Sequence, residues 1–215
     1  MRLSAGASRG RAAAAGFDED SDEDNVFLNV PYDRGYEPLF VTAVATLVGL
    51  GLKPRTVLEL SETGQGRLTR IQAHLEACRV SVHDLSRVGT PVRFNMPFEL
   101  GLACNLARYG RRHAVVVLER VRDRLDWTMS DYRGADPLIH GGSCDRLMTC
   151  LMDALVVPGA VPDLGKMRRI GRRLRSVAEA IKKSTRRPDL LTRLSYLALV
   201  DAATEIAERE ELIRR

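Results

Sequence analysis

The chain of 215 residues has no uninterrupted apolar run near the roughly 20 residues needed to cross a bilayer, so no membrane partner is expected. Its four cysteines, Cys78, Cys104, Cys144 and Cys150, form no CxxC pair and have no histidine at zinc spacing. A structural metal is therefore not expected. Free thiols in a reducing cytoplasm are the simplest account of them. No Walker pattern, GxSxG or HExxH occurs, and Gly64-Gln65-Gly66 is too short for a phosphate fingerprint. No internal repeat of roughly 20–50 residues is present, which excludes solenoids and propellers.

Charge is present but uneven. The net +5 hides an acidic run at 18–24 and a strongly basic stretch at 166–187. Residues 1–24 lack hydrophobic periodicity and are expected to form a solvated, disordered tail. Residues 25–162 carry the pattern of an α/β domain. Residues 163–215 read as a basic helical extension, a hairpin of two helices at 164–184 and 189–213.

Within the central segment, short apolar runs at 26–30, 56–60, 80–85 and 114–118 read as buried strands. Between and after them, apolar residues at helical spacing predict helices over 38–50, 66–79, 97–109 and 145–157. Strands alternating with helices call for a parallel sheet buried on both faces. A flavodoxin-like order 2-1-3-4 follows, with flanking helices.

In such a sheet the ligand crevice lies at the carboxyl ends of the strands where the order reverses. Here that is between strands one and three. The loops there carry Asn29, Tyr32, Asp33 and Arg34, then Asp84, Ser86 and Arg87. Tyr32 is suited to stacking on a base, or to being a half-buried loop aromatic. Asp33 and Arg34 are placed to pair with each other. Asp84 suits a ribose hydroxyl or a local cap. Arg87 suits a phosphate, or open solvent.

Downstream, Asn95 is a good N-cap and Pro97 suits a first helical turn. Glu99 then either complements the helix dipole or faces an anomeric carbon, where an anion stabilises an oxocarbenium-like centre. His83 alternates away from the face of Asp84 and reads as a core histidine. Asp131, Asp136 and His140, in a polar loop after the fourth strand, complete the pocket wall or serve turn chemistry.

Three blocks carry a family likeness: Val26-Phe27-Leu28-Asn29-Val30-Pro31-Tyr32-Asp33, Ser81-Val82-His83-Asp84-Leu85-Ser86-Arg87, and Phe94-Asn95-Met96-Pro97-Phe98-Glu99-Leu100-Gly101-Leu102-Ala103. Through them, 25–157 resembles the bacterial TIR-like and nucleoside 2-deoxyribosyltransferase-like group. The resemblance implies a TIR-like fold. It maps a catalytic glutamate, nucleophile in the transferases and essential in TIR-type NAD hydrolases, onto Glu99. Asp84 takes the sugar or base contact beside it. From their places in the strand-end loops and at the start of the third helix, Asn29, Tyr32, Asp33, Ser86, Arg87, Asn95, Asp136 and His140 are expected to bind the substrate. Met96-Pro97-Phe98 departs from the polar approach of the transferases.

The expected function is a nucleotide N-glycosidase or glycosyl-transfer enzyme acting on NAD or a related nucleotide, with a place among bacterial defence effectors. NAD is then substrate, and no cofactor is implied. The alternative is a module that senses a nucleotide, or assembles as a TIR-like homo-oligomer, without turnover. Nucleic acid is the less favoured partner, because basic residues between 166 and 175 spread around a helix of about 3.6 residues per turn.

Overall fold

The computed structural model describes residues 23–59, 66–87, 94–109, 113–132, 136–157 and 159–213. Most of the acidic tail therefore lies outside the described residues. Of its end, Glu23 stands 3.3 Å from Arg79.

Five strands form one parallel sheet in the order β2-β1-β3-β4-β5: β1 Asn25–Asn29, β2 Lys53–Thr56, β3 Val80–Asp84, β4 Ala114–Glu119 and β5 Leu138–Ile139. The expected 2-1-3-4 arrangement is present. The fifth strand, two residues long, is an addition that no apolar run announces. The second strand also lies three residues earlier than expected. Pro54 has no N–H for a ladder, and the outer edge of the sheet tolerates that. Val57–Glu59 is instead a 3-10 turn. The Glu59 carboxylate closes it by accepting from Thr56 N–H and Arg55 Nε, each at 2.8 Å.

Side-chain alternation assigns the two faces of the sheet. Val26, Leu28, Val30 and Val82 join one core with α1 (Glu37–Gly49), α5 (Cys144–Leu155), α6 (Leu164–Thr185) and α7 (Arg193–Arg209). Phe27 joins a second core with α2 (Arg67–Glu76) and α3 (Asn95–Arg108), through Ile71, Leu75 and Ala103. A short α4 (Arg124–Thr128) follows β4.

Helix α1 is buried from Leu39 to Gly49 because the sheet covers one side of it and α5, α6 and α7 the other. Its buried Thr42 and Thr46 hydroxyls donate back to the carbonyls of Pro38 and Thr42. Gly49 allows close approach: a Cβ there would lie 2.8 Å from Met167 Sδ. Gly51, at φ +78°, then turns the chain toward β2.

The C-terminal helices pack against each other and on α1. Leu174, Ile181, Leu190, Tyr196, Leu199 and Ile206 share the core of α1, and the Tyr196 hydroxyl donates to Pro54 O at 2.5 Å. Helix α7 begins at Arg193, later than the periodicity suggested, and Leu194 and Leu197 are exposed. Much of the basic charge on α6 is used within the chain. Arg169 and Arg173 each lie 2.8 Å from Glu210, and Lys182 lies 2.7 Å from Glu37. Among the described residues, no helix is long and apolar enough to cross a membrane.

Candidate functional site

At the carboxyl edge, Asn29 pairs in register with His83, one residue before Asp84. The first and third strands therefore end side by side. A cavity of about 150 Å³ opens there on the α2/α3 side, lined by Asn29, Tyr32, Arg67, Arg87, Asn95 and Glu99 together with Val30, Pro31, Val57, Leu58 and Met96.

Glu99 is 4% exposed. Helix α3 begins at Asn95, with Phe94 at the cap position and no side-chain cap bond, so Asn95 is not the N-cap that its residue type suggested. Its side chain instead hydrogen-bonds Glu99 one turn on. Burial raises the Glu99 carboxyl above the usual carboxylate range, against the opposing pull of the Asn95 hydrogen bond and the Arg67 charge. The site thus holds a partly desolvated carboxylate beside cationic groups.

Tyr32 combines both readings made from sequence. Its hydroxyl donates to Leu28 O at 2.8 Å and its ring meets Phe40 edge-on at 6.0 Å, yet it still lines the cavity. Burial, with Glu99 next, keeps its phenol protonated. Arg87 reaches toward Asp33, with Nη1 3.3 Å from Oδ2, so Asp33 pairs with Arg87 and not with Arg34. Arg34 faces Asp189 at 3.9 Å. The second oxygen of Asp33 accepts from Tyr36 N–H at 3.0 Å and shapes the entry to α1. Arg87 Nη1 is held by the Asp33 carboxylate, while its Nε is buried without a hydrogen-bond partner among the described residues, which leaves that donor for a ligand.

Asp84 is not part of this cavity, which corrects the expectation that Asp84 and Glu99 line one cleft. Alternation puts Asp84 on the face of Val82, across the sheet from α3. There it is fully buried. Its Oδ1 accepts from Ser86 N–H at 2.9 Å, and Oδ2 accepts from the Tyr36 hydroxyl and lies 3.1 Å from His140 Nε2. His140 Nδ1 accepts from Gly142 N–H at 3.0 Å, which places the ring proton on Nε2, facing Asp84 Oδ2 and, at 2.9 Å, Ser86 Oγ. Burial pushes the Asp84 carboxyl up, but hydrogen bonds from His140, Ser86 and Tyr36 outweigh it and leave the carboxyl below its usual value. Asp84, Ser86 and His140 thus form a second cluster, tying the end of β3 to the end of β5 across β4. Asp136 is exposed and lines neither group.

Sequence reasoning missed Tyr36 and Arg67, and also Glu119. Glu119 is buried at the end of β4. It accepts from the N–H groups of Arg120 (2.5 Å) and Val121 (3.1 Å) and pairs with Arg124. The one signal was Arg124 itself, five residues on. A larger cavity of about 490 Å³ lies between β2, the end of α1 and α7, walled by Leu52, Pro54, Tyr196 and Val200. Among the described residues, no three His, Cys, Asp or Glu side chains group as metal ligands would.

These features define an α/β protein with a carboxyl-edge pocket. Compared with known proteins, the chain matches no family model, no curated protein and no solved structure.

Proposed function

We propose that the chain is an N-glycosidase or glycosyl-transfer enzyme acting on NAD or a related nucleotide, with Glu99 as the residue that touches the reacting sugar. The observation that carries this reading is a buried carboxylate in a small switch-point cavity shared with Arg67 and Arg87.

The chemistry fits that donor set. The C1′–N bond breaks with its electron pair leaving on the base. Nicotinamide in NAD is already cationic, so it departs neutral without a proton. The positive charge moves to C1′ and O4′ of the ribose, where the Glu99 carboxylate stabilises it. Water then adds to C1′ and loses its proton, giving nicotinamide, ADP-ribose and one proton. Arg67 and Arg87 suit the phosphates, and the half-buried Tyr32 ring offers an apolar wall. The motif resemblance to TIR-like and deoxyribosyltransferase-like proteins agrees with this reaction class, and a role in bacterial defence would follow from the same likeness.

One observation favours a second reading, nucleotide sensing without turnover. Asp84, the expected second carboxylate, is spent on Tyr36, Ser86 and His140, and a binding pocket needs only Glu99 and the arginines. Incubation of the purified protein with NAD, NADP, ATP and deoxynucleosides, followed by mass spectrometry of released bases, separates the two. The enzyme releases nicotinamide, whereas a sensor leaves every substrate intact.

A further inference from the structure

The backbone oxygen of Met96 fixes which way the Asn29 amide faces. A carbonyl oxygen only accepts, so the Asn29 atom 3.2 Å from it is the amide nitrogen Nδ2. The same Nδ2 stands 3.0 Å from His83 Nδ1. That ring nitrogen must then carry its lone pair, which places the ring proton on Nε2. A charged ring would set N–H against N–H. Burial prevents this by driving His83 down from 6.5 to about 3, so the ring is neutral at physiological pH. Both amide hydrogens of Asn29 are thus directed at fixed acceptors. With Nδ2 engaged twice, the side-chain group that Asn29, a lining residue of the cavity, has left for a ligand is its carbonyl Oδ1.

Asn29 Oδ1 at the end of β1 and the Glu99 carboxylate on α3 are thus acceptors carried by residues that line one cavity. A ribose ring has two neighbouring hydroxyls, each a donor, and a deoxyribose has one. We propose that Asn29 Oδ1 accepts a hydrogen bond from a hydroxyl of the ribose whose glycosidic bond faces Glu99, so that the site disfavours the ligand lacking that hydroxyl. His83 and Met96 O act as positioning groups that hold the amide in the accepting orientation. This inference rests on the ligand being a nucleotide bound at the Glu99 cavity, but not on its turnover. A buried acceptor left without its donor is penalised, which is how a polar site rejects an analogue that lacks one hydroxyl.

The test uses binding, so that catalysis does not decide it. Glu99→Gln protein is titrated calorimetrically with NAD and with analogues lacking the 2′- or the 3′-hydroxyl of the nicotinamide ribose. NAD is expected to bind about tenfold more tightly than at least one of the analogues, the scale of one neutral hydrogen bond. Asn29→Ala in the same background should erase that difference. In the unmodified protein, the ¹⁵N resonances of His83 should report a bare Nδ1 and a protonated Nε2. Equal affinity for all three ligands, a preference that survives Asn29→Ala, or no binding of any of them overturns the inference. Tight, hydroxyl-dependent binding by a protein that releases no base would support it and would defeat the glycosidase reading instead.

Discussion

At Glu99, stability and activity pull in opposite directions. Its carboxyl is raised by burial. A carboxyl whose folded value lies above its unfolded value stabilises the fold at low pH, and that stabilisation is lost as pH rises through the folded value. At neutral pH the ionised Glu99 is therefore a cost, and Glu99→Gln should leave the melting temperature at pH 7 unchanged or slightly higher. A clear fall in melting temperature would make Glu99 a structural residue. The same shift sets the pH profile: base release needs the anion, so it should rise with pH through the elevated Glu99 value and then level off. A rate that falls over that range would contradict the assigned role. At this scale the sequence was half legible. Glu99, Asn29, Tyr32, Arg87 and Asn95 meet at one cavity, because strand ends and the start of a following helix converge at a switch point. Asp84 was misplaced although alternation had already turned His83 the other way. Whichever face α3 covers receives His83 and Asn29, so Asp84 must lie on the opposite one.

Among the elements, the Asp84 cluster joins strands that are not neighbours. His140 follows β5, Asp84 ends β3, and β4 lies between them. Replacing Asp84 with Asn keeps the shape but removes the charge that three donors address. It should cost about 1.5–3 kcal/mol in chemical denaturation, the range for hydrogen bonds to charged groups. The ligand affinity of the surviving folded protein should change little, since Asp84 does not line the cavity. Intact stability with abolished binding would restore Asp84 to the site. Strands β1, β3 and β4 were legible because strands buried on both faces read as continuous apolar runs. The edge strands were less so: β2 lies three residues before its expected place, and β5 was not expected at all. β2 contains Lys53, Pro54 and Arg55, and β5 has only two residues. Their identity comes from the neighbour that pairs with them, which no local pattern encodes.

For the molecule as a whole, the C-terminal helices complete the fold rather than append to it. Helix α1 is buried from Leu39 to Gly49 because α6 and α7, with α5, cover the side away from the sheet. A chain ending at residue 162 would bare Phe40, which packs on Tyr196, and Gly49, which lies against Met167. It should lose cooperative unfolding and bind a hydrophobic dye, and a truncated chain with a sharp thermal transition would contradict this. Four of the eight basic residues of α6, Lys166, Arg169, Arg173 and Lys182, are matched to Glu37, Glu210 and Glu211, which agrees with a structural use of that charge. The role of the switch-point cavity is tested by nicotinamide release from NAD by the unmodified chain and by Glu99→Gln under identical conditions. Steady release by the former is expected, with a fall on the order of a hundredfold or more in the variant, the usual effect of removing one transition-state charge partner. Equal rates in the two proteins, or no release by the unmodified chain, would contradict it.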